Sequence, residues 1–575
     1  MPKASPIQVS FNAGELSPQL KGRIDLDKYR NGCETMLNFI PQIHGPAKKR
    51  PGTRFVREVK TSAKKTRLIP FQFNVFQSYI LEFGDLYIRF HRDGGTVLDA
   101  GVPYEIVSTY LEAELPAIHF AQSADVMYLV HQNHPPRKLS RLGDANWTIA
   151  DVTFTSGPFG AGNYPKAVSF FEDRLWFAGT LANPSTLWAS VTGDYENFTM
   201  GTVDDDALSY TINSQEVDII EWISPGKVLS IGTTGSEFTA TGGGIDAAIT
   251  PTNVRIVPQT TYGSRDMQPF KIAGSIIFTQ RAGRKVRELT YNFESDSYVA
   301  PNLTILAEHI TKAGVVDITY EQEPYQIIWF ADANGQLLGM TYERAEDVIG
   351  WHRHDVSGEV ESLATVPHWD RDQDVTFMIV KRTINGSVVR YIEYIEKYLT
   401  GEHAFFVNSG LTYDDVPITT ITGIDHLEGE EVVVLVDGAI HPNRTVTGGE
   451  IELQYEGSVV TVGLPYTATI KTMPIEAGAA DGVAQGKTMR INNLTIRLDN
   501  TGPGLFYGND TRMDEYHPRT TTMDMDEAIP VFTGDTDLLP WPGGYEKGSQ
   551  ITIDHRLPTP CTLVALMPQL HTYDR

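Results

Sequence analysis

Two stretches of the chain repeat each other in composition and in spacing. Asp125-Val-Met-Tyr-Leu-Val130 leads to Asn133-His-Pro-Pro-Arg-Lys-Leu139 and then Gly143-Asp-Ala-Asn-Trp147. Asp173-Arg-Leu-Trp-Phe-Ala178 leads to Asn183-Pro-Ser-Thr-Leu-Trp188 and then Gly193-Asp-Tyr-Glu-Asn-Phe198. The copies start 48 residues apart, and ten residues separate Asn from Gly in each. Weaker versions of the opening strand stand at Gln77–Glu82, Lys227–Gly232, Gly274–Thr279, Gln326–Ala331 and Asp374–Ile379, so that seven starts are spaced 48, 48, 54, 47, 52 and 48 residues apart. A period of roughly 40–50 residues with several strands per unit marks a β-propeller. Such sheets stack face to face and bury both faces of their inner strands, which accounts for the continuous apolar runs at the starts. The fold expected is therefore all-β, an irregular propeller over about residues 71–400. It has seven blades by this count, six or eight being compatible with repeats this weak.

Composition agrees, with 50 Gly, 33 Pro, 25 Tyr, 25 Phe and 8 Trp in 575 residues, the usage of short strands and tight turns. Hairpin chemistry separates β-rich runs at Arg92-Asp-Gly-Gly95, Asp332-Ala-Asn-Gly335, Ile384-Asn-Gly-Ser387 and Asp437-Gly438. The best helical spacing is Pro301–Lys312, with Leu303, Leu306 and Ile310 on one face. Two cysteines, Cys33 and Cys561, exclude a disulfide scaffold. No apolar run reaches the roughly 20 residues of a membrane span, and the first residues lack a secretory signal, so synthesis in the cytoplasm is expected. The 47 Lys+Arg against 72 Asp+Glu give a net charge of −25, which disfavours clamping of nucleic acid, because phosphate binding needs positive charge at the contact.

Outside the repeats lie three further segments: an N-terminal arm (1–70), an inserted small β-barrel or sandwich unit (401–475) and a C-terminal β segment (476–575). The arm carries a basic cluster, Lys48, Lys49, Arg50, Arg54, Arg57, Lys60, Lys64, Lys65 and Arg67, opposed only by Glu58, a net +8. Residues 499–537 hold nine acids and two arginines. Signals for catalysis are weak. Gly482-Val-Ala-Gln-Gly-Lys-Thr488 is one residue short between its glycines for a phosphate loop and reads as a turn. His352 and His354 face one side of a strand, a spacing open to a metal but also to a half-exposed strand. Asp204, Asp205 and Asp206, and Asp524, Asp526 and Glu527, form acidic loops without the glycine and terminal Glu of a calcium loop. With no catalytic constellation, metal ligand set or cofactor motif, neither a metal nor a cofactor is expected.

A series of short motifs then points to a family. Phe11-Asn-Ala-Gly-Glu-Leu-Ser-Pro18, Asp25-Leu-Asp-Lys-Tyr29, Asn31-Gly-Cys33, Asn38-Phe-Ile-Pro41 and Gly45-Pro-Ala-Lys-Lys-Arg-Pro-Gly-Thr-Arg-Phe55 are followed by Phe170–Gly179, Gly193-Asp-Tyr195 and Gln280–Leu289. Gly350-Trp-His-Arg-His354, Gly463-Leu-Pro-Tyr466 and Phe532-Thr-Gly-Asp535 complete the series. In order and spacing this resembles the tail nozzle proteins, or tail tubular protein B family, of short-tailed bacteriophages, over almost the whole chain. The resemblance implies a structural virion protein, not an enzyme. It would be a hexameric ring below the portal and adaptor rings of the tail, a channel through which viral DNA is ejected, near tail fibres and the host envelope. Six copies would carry about −150, which would let DNA slide past without binding. It also implies a β platform, built from the N- and C-terminal segments and facing the tail adaptor, which makes Phe11, Gly14, Glu15 and Leu16 candidate contacts to it. The basic cluster is left to three readings: DNA contact at the entrance, docking on an acidic adaptor surface, or a solvated face. The rival functions are a carbohydrate-active propeller and a receptor-binding module.

Overall fold

The computed structural model describes residues 3–213, 218–244, 247–477, 485–524 and 527–573. It forms two compact units, one made of residues 64–317 and one made of residues 1–63 together with 318–575.

In the unit of residues 64–317, five antiparallel sheets of propeller-blade type follow one another along the chain. The first is built on Arg67–Asn74, Gln77–Gly84 and Tyr87–Arg92, whose far edge is paired by both Gly95–Thr96 and Glu105–Val107. The second runs His119–Ser123, Val126–His131, His134–Gly143, Asn146–Asp151, and the third Ala167–Phe171, Arg174–Ala178, Thr186–Ala189, Leu208–Thr211. The fourth and fifth have the same order, over Ile220–Thr260 and Phe270–Val299. Each sequence start is the second strand of its sheet, not the first. It is buried along its length, as in Arg174–Ala178, Leu229–Thr233 and Ser275–Thr279, because a middle strand has neighbours on both edges and both faces. The apolar cores lie between successive sheets. Trp147 packs with Phe71 and Phe90 between the first and second, Phe177 and Trp188 with Val130 between the second and third, and Trp176 with Ile231 and Phe238 between the third and fourth.

In the other unit, two more sheets continue the series. The sixth comprises Val315–Glu321, Ile327–Asp332, Leu337–Glu343 and Val348–His354. The seventh comprises Glu359–Pro367, Asp374–Ile384, Ser387–Ile395 and, as its fourth strand, Thr53–Glu58. The last sheet is thus completed by a strand that precedes the first sheet in the chain. Chain ends also build the platform: Phe39–Pro41, Ala47–Lys49, Thr562–Tyr573, Thr488–Thr501 and Phe532–Asp535 lie side by side in that order. A second set of terminal strands grows from the sixth sheet, where Gly14–Glu15 and Gly32–Leu37 run parallel to Val348–His354. Beyond Thr53–Glu58, which Asn408–Thr422 joins in parallel at Gly410 and Arg54, the seventh sheet continues through Asn408–Thr422, Glu450–Leu464, Glu431–Val436 and Ala439–Thr445, over a core of Leu427, Val432, Val434, Val460 and Val462.

The turns follow their residues. Asp93 and Gly94, Asn385 and Gly386, and Asp437 and Gly438 all have positive φ, the two-residue hairpin conformation that these pairs favour. The expected helix at 301–312 does not form. Leu303 and Ile310 are buried, but the segment is a chain of i→i+3 turns, Ala307 N–H to Thr304 O and Ile310 N–H to Ala307 O. Asn302 Oδ1 accepts the Thr304 N–H, a local bond of the kind that favours turns over helix. Among the described residues no helix is long and apolar enough to cross a membrane.

Candidate functional site

In the unit of residues 1–63 and 318–575, a cavity of about 320 Å³ opens between the ends of the sixth and seventh sheets and the platform. The last residue of Val315–Glu321 points a carboxylate into apolar surroundings. Glu321 Oε2 accepts hydrogen bonds from Trp329 Nε1 (2.7 Å) and Thr376 Oγ1 (2.9 Å). Burial, with Asp374 adding to it, pushes the Glu321 carboxyl up to about 7. From the platform strand Ala47–Lys49, Lys48 donates to the Tyr325 hydroxyl at 2.7 Å and lies 3.5 Å over the Tyr398 ring. Burial lowers its amine to about 8 and raises Tyr325 to about 12. Lys397 holds Asp370 and Asp372 at 2.7 and 2.8 Å. A carboxyl and an amine that both titrate near neutrality, in one aromatic-lined cavity, are groups fit for proton transfer or for holding a hydroxylated ligand. Sequence reasoning missed Glu321 altogether, and it took Lys48 for part of a charge cluster. Chain separation hides the pairing, and nothing around Glu321 in the sequence distinguishes it from the other acids.

His352 and His354 do face one side of their strand. Their Nδ1 and Nε2 atoms are 2.5 Å apart, both rings are buried, and both pack on Trp329. Burial lowers both histidines, His352 to about 3. They belong to the core of the sixth sheet, not to a half-exposed strand.

The candidate adaptor contacts are buried as well. Phe11, Glu15 and Leu16 are 0%, 1% and 2% exposed. Gly14 bridges Trp351, and Glu15 accepts the Met36 N–H at 2.8 Å and Arg353 Nε at 3.0 Å. These side chains are consumed by the joint between the arm and the sixth sheet, so they offer no surface to a partner.

The basic cluster is dispersed. Lys49 and Arg50 are fully buried. Lys49 donates to the carbonyls of Leu557 (2.7 Å) and Thr559 (3.4 Å) and to His555 Nδ1 (3.2 Å), and burial lowers it to about 7. Arg50 reaches the Pro51 carbonyl and Asn408 Oδ1 at 2.6 and 2.9 Å. Arg54 pairs with Glu396, and Arg57 lies half-buried on the same strand. Lys64, Lys65 and Arg67 belong to the other unit, where Lys64 pairs with Asp85 and Arg67 donates to the carbonyls of Leu115, Pro116 and Ile118. Lys65 and Lys60 are exposed.

The acidic loops are exposed at Asp204, Asp205, Asp524 and Glu527, and half-buried at Asp206; Asp526 lies outside the described residues, as do residues 482–484 of the glycine-bearing segment 482–488. Arginine caps each loop through main-chain carbonyls: Arg174 those of Asp204 and Asp206, Arg519 those of Asp524 and Glu527.

A scan of protein-family models and a search of curated proteins returned no match. Among solved structures, the chain is similar to YCF48 bound to D1 peptide (11% identity, 61% of this chain and 98% of that one, TM-score 0.36). It is also similar to the RRP9 WD40 repeats (9%, 61% and 100%, 0.37) and to the Cps50 (Swd1) β-propeller domain of Myceliophteria thermophila (8%, 59% and 99%, 0.36). The propeller assignment rests on the chain's own sheets.

Proposed function

We propose that this β-propeller protein is a structural subunit of a short phage tail, one that assembles into a ring and forms the nozzle through which DNA leaves. One observation carries the reading. The motifs that resemble the nozzle family lie far apart in sequence, yet several of them meet at a single buried joint. Gly14 bridges Trp351, Asn38 Nδ2 donates to the Thr467 carbonyl at 2.8 Å, Asn38 Oδ1 accepts the Asp355 N–H at 2.9 Å, and the Tyr466 hydroxyl donates to the Arg50 carbonyl. A resemblance concentrated in an interlocked framework is what a shared architecture would leave. The charge supports it too: among the described residues ten acidic against six basic side chains are buried, too small a difference to absorb the excess of 72 acids over 47 bases, and acids at the surface would repel DNA phosphates.

Co-expression with the adaptor-ring protein of the same tail tests the reading, with sedimentation as the measure. A joint particle containing several copies of this chain is expected, and persistent monomers that ignore the adaptor would contradict it.

The cavity at Glu321 favours a second reading, a carbohydrate-binding or carbohydrate-cleaving tail protein. It requires binding or turnover of a polysaccharide that Glu321→Gln abolishes while the fold is retained.

A further inference from the structure

In the unit of residues 64–317, two histidines and a glutamate converge where the turn after the first sheet meets the second. His131 ends the strand Val126–His131, and His134 begins the next strand across the tight connection through Gln132 and Asn133. Glu114 comes from the short 3-10 turn Glu112–Ala117. One nitrogen of each histidine and one carboxylate oxygen of Glu114 lie within 4.8 Å of one another. His134 Nε2 and Glu114 Oε2 are already 2.8 Å apart.

The surroundings hold these groups in place. Asn133 Nδ2 donates to Glu114 Oε1 at 3.0 Å, and the Leu111 N–H donates to Oε2 at 2.9 Å. Tyr110, 0% exposed, packs edge-on against both imidazoles, with centroids 4.9 and 6.3 Å away. Its hydroxyl is buried with no hydrogen-bond partner among the described residues, an omission that native structures rarely tolerate. Two imidazoles and a carboxylate are the donor set that holds zinc with one coordination position left for water. The partners of Glu114 are the second layer that orients such ligands.

We infer that Glu114, His131 and His134 form a divalent transition-metal site, most suited to Zn²⁺, that fastens the turn after the first sheet to the hairpin of the second. The metal takes the place of the direct His134–Glu114 hydrogen bond, with the imidazole ligating in its neutral form. His131 Nδ1 accepts the Asn133 N–H at 3.1 Å, a bond that fixes the orientation of the ring.

Titration calorimetry of the full chain with ZnCl₂ at pH 7.5 tests this. Saturable binding of one equivalent is expected, with at least a tenfold weakening in His134→Gln and in Glu114→Gln. Circular dichroism establishes that each variant is folded, and if one is not, the other decides. Co²⁺ in place of Zn²⁺ should give the visible absorption of a four-coordinate site in the wild type and lose it in the variants. No saturable binding in the wild type, or binding unchanged in both variants because Zn²⁺ sits on other histidines, would overturn the inference.

Discussion

Arg382 and Glu393 meet diagonally across adjacent strands of the seventh sheet as a buried, two-pronged ion pair, with Nε–Oε1 at 2.9 Å and Nη2–Oε2 at 2.7 Å. The two side chains are 1% and 0% exposed. Thr53, from the strand that completes the sheet, donates a third hydrogen bond to Glu393 Oε2 at 2.6 Å, so the pair reads whether the N-terminal strand is in place. Loss of one partner leaves an uncompensated buried charge, at a cost of roughly 3–5 kcal/mol. Glu393→Gln and Arg382→Leu should each destabilise by about that amount in denaturant unfolding. Thr53→Ala should cost about 1 kcal/mol. Equal, negligible effects of all three would show that the strand is held by other contacts.

Gly14 should behave as a framework residue. At its φ of +65° a side chain is strained, and an added Cβ would meet the Trp351 carbonyl oxygen at 2.4 Å and its nitrogen at 2.5 Å. Because these are backbone atoms, relief requires the two strands to separate. Gly14→Ala should cost at least the roughly 1–3 kcal/mol of core overpacking, seen as a lower unfolding midpoint of the isolated chain. A variant of unchanged stability that fails only to join a partner would restore Gly14 as a contact residue.

The paired histidines of the sixth sheet make stability depend on acid. His352 is lowered from 6.5 to about 3 by burial, so below pH 6.5 the unfolded chain takes up a proton that the folded chain refuses. Stability from this group is complete above pH 6.5, declines as the pH falls, and levels off near 3. Between pH 6.5 and 4, unfolding free energy should fall more steeply in the wild type than in the His352→Asn, His354→Asn double variant. Parallel curves would count against the buried pair.

Lys49 acts in a different window. Its amine is lowered from 10.5 to about 7, so the unfolded chain binds the extra proton between those values. The penalty for burying it is full below pH 7 and disappears toward 10.5. Lys49→Met should therefore gain stability relative to wild type most strongly near pH 7. The gain should shrink with rising pH by up to about 1.4 kcal/mol per unit. A difference that does not change with pH would place the charge in solvent.

Much of the architecture was legible because it repeats. The runs at Val126–His131 and Arg174–Ala178 announce their sheets, since a strand with neighbours on both faces must be apolar throughout, and Asn385-Gly386 announces its hairpin through the conformation it demands. What escaped was anything set by distant chain segments. Lys48, Lys49 and Arg50 read as a solvent-facing or docking patch because net charge along a sequence does not register burial. Here Lys49 and Arg50 donate to carbonyls more than 300 residues away, at Leu557 and Asp355. Glu321 was silent for the same reason, its perturbation coming from the fold around Trp329 and Thr376. The segment 301–312 reads as a helix from the spacing of Leu303, Leu306 and Ile310 but forms turns, because Asn302 and Thr304 favour local hydrogen bonds.

Glu321 offers a spectroscopic handle on the cavity. Its carboxyl, at about 7, ionises against the indole N–H of Trp329, so wild type minus Glu321→Gln difference fluorescence should titrate near pH 7. A flat difference between pH 5 and 9 would show that the carboxyl is already ionised at the lower limit.

Electron cryo-microscopy of the purified chain mixed with its tail adaptor ring tests the central claim most directly. A closed ring of copies of this chain, six by the family resemblance, docked coaxially on the adaptor around an open or plugged channel, is the predicted result. Single particles with no ring and no adaptor density, under conditions where the adaptor itself forms rings, would contradict it.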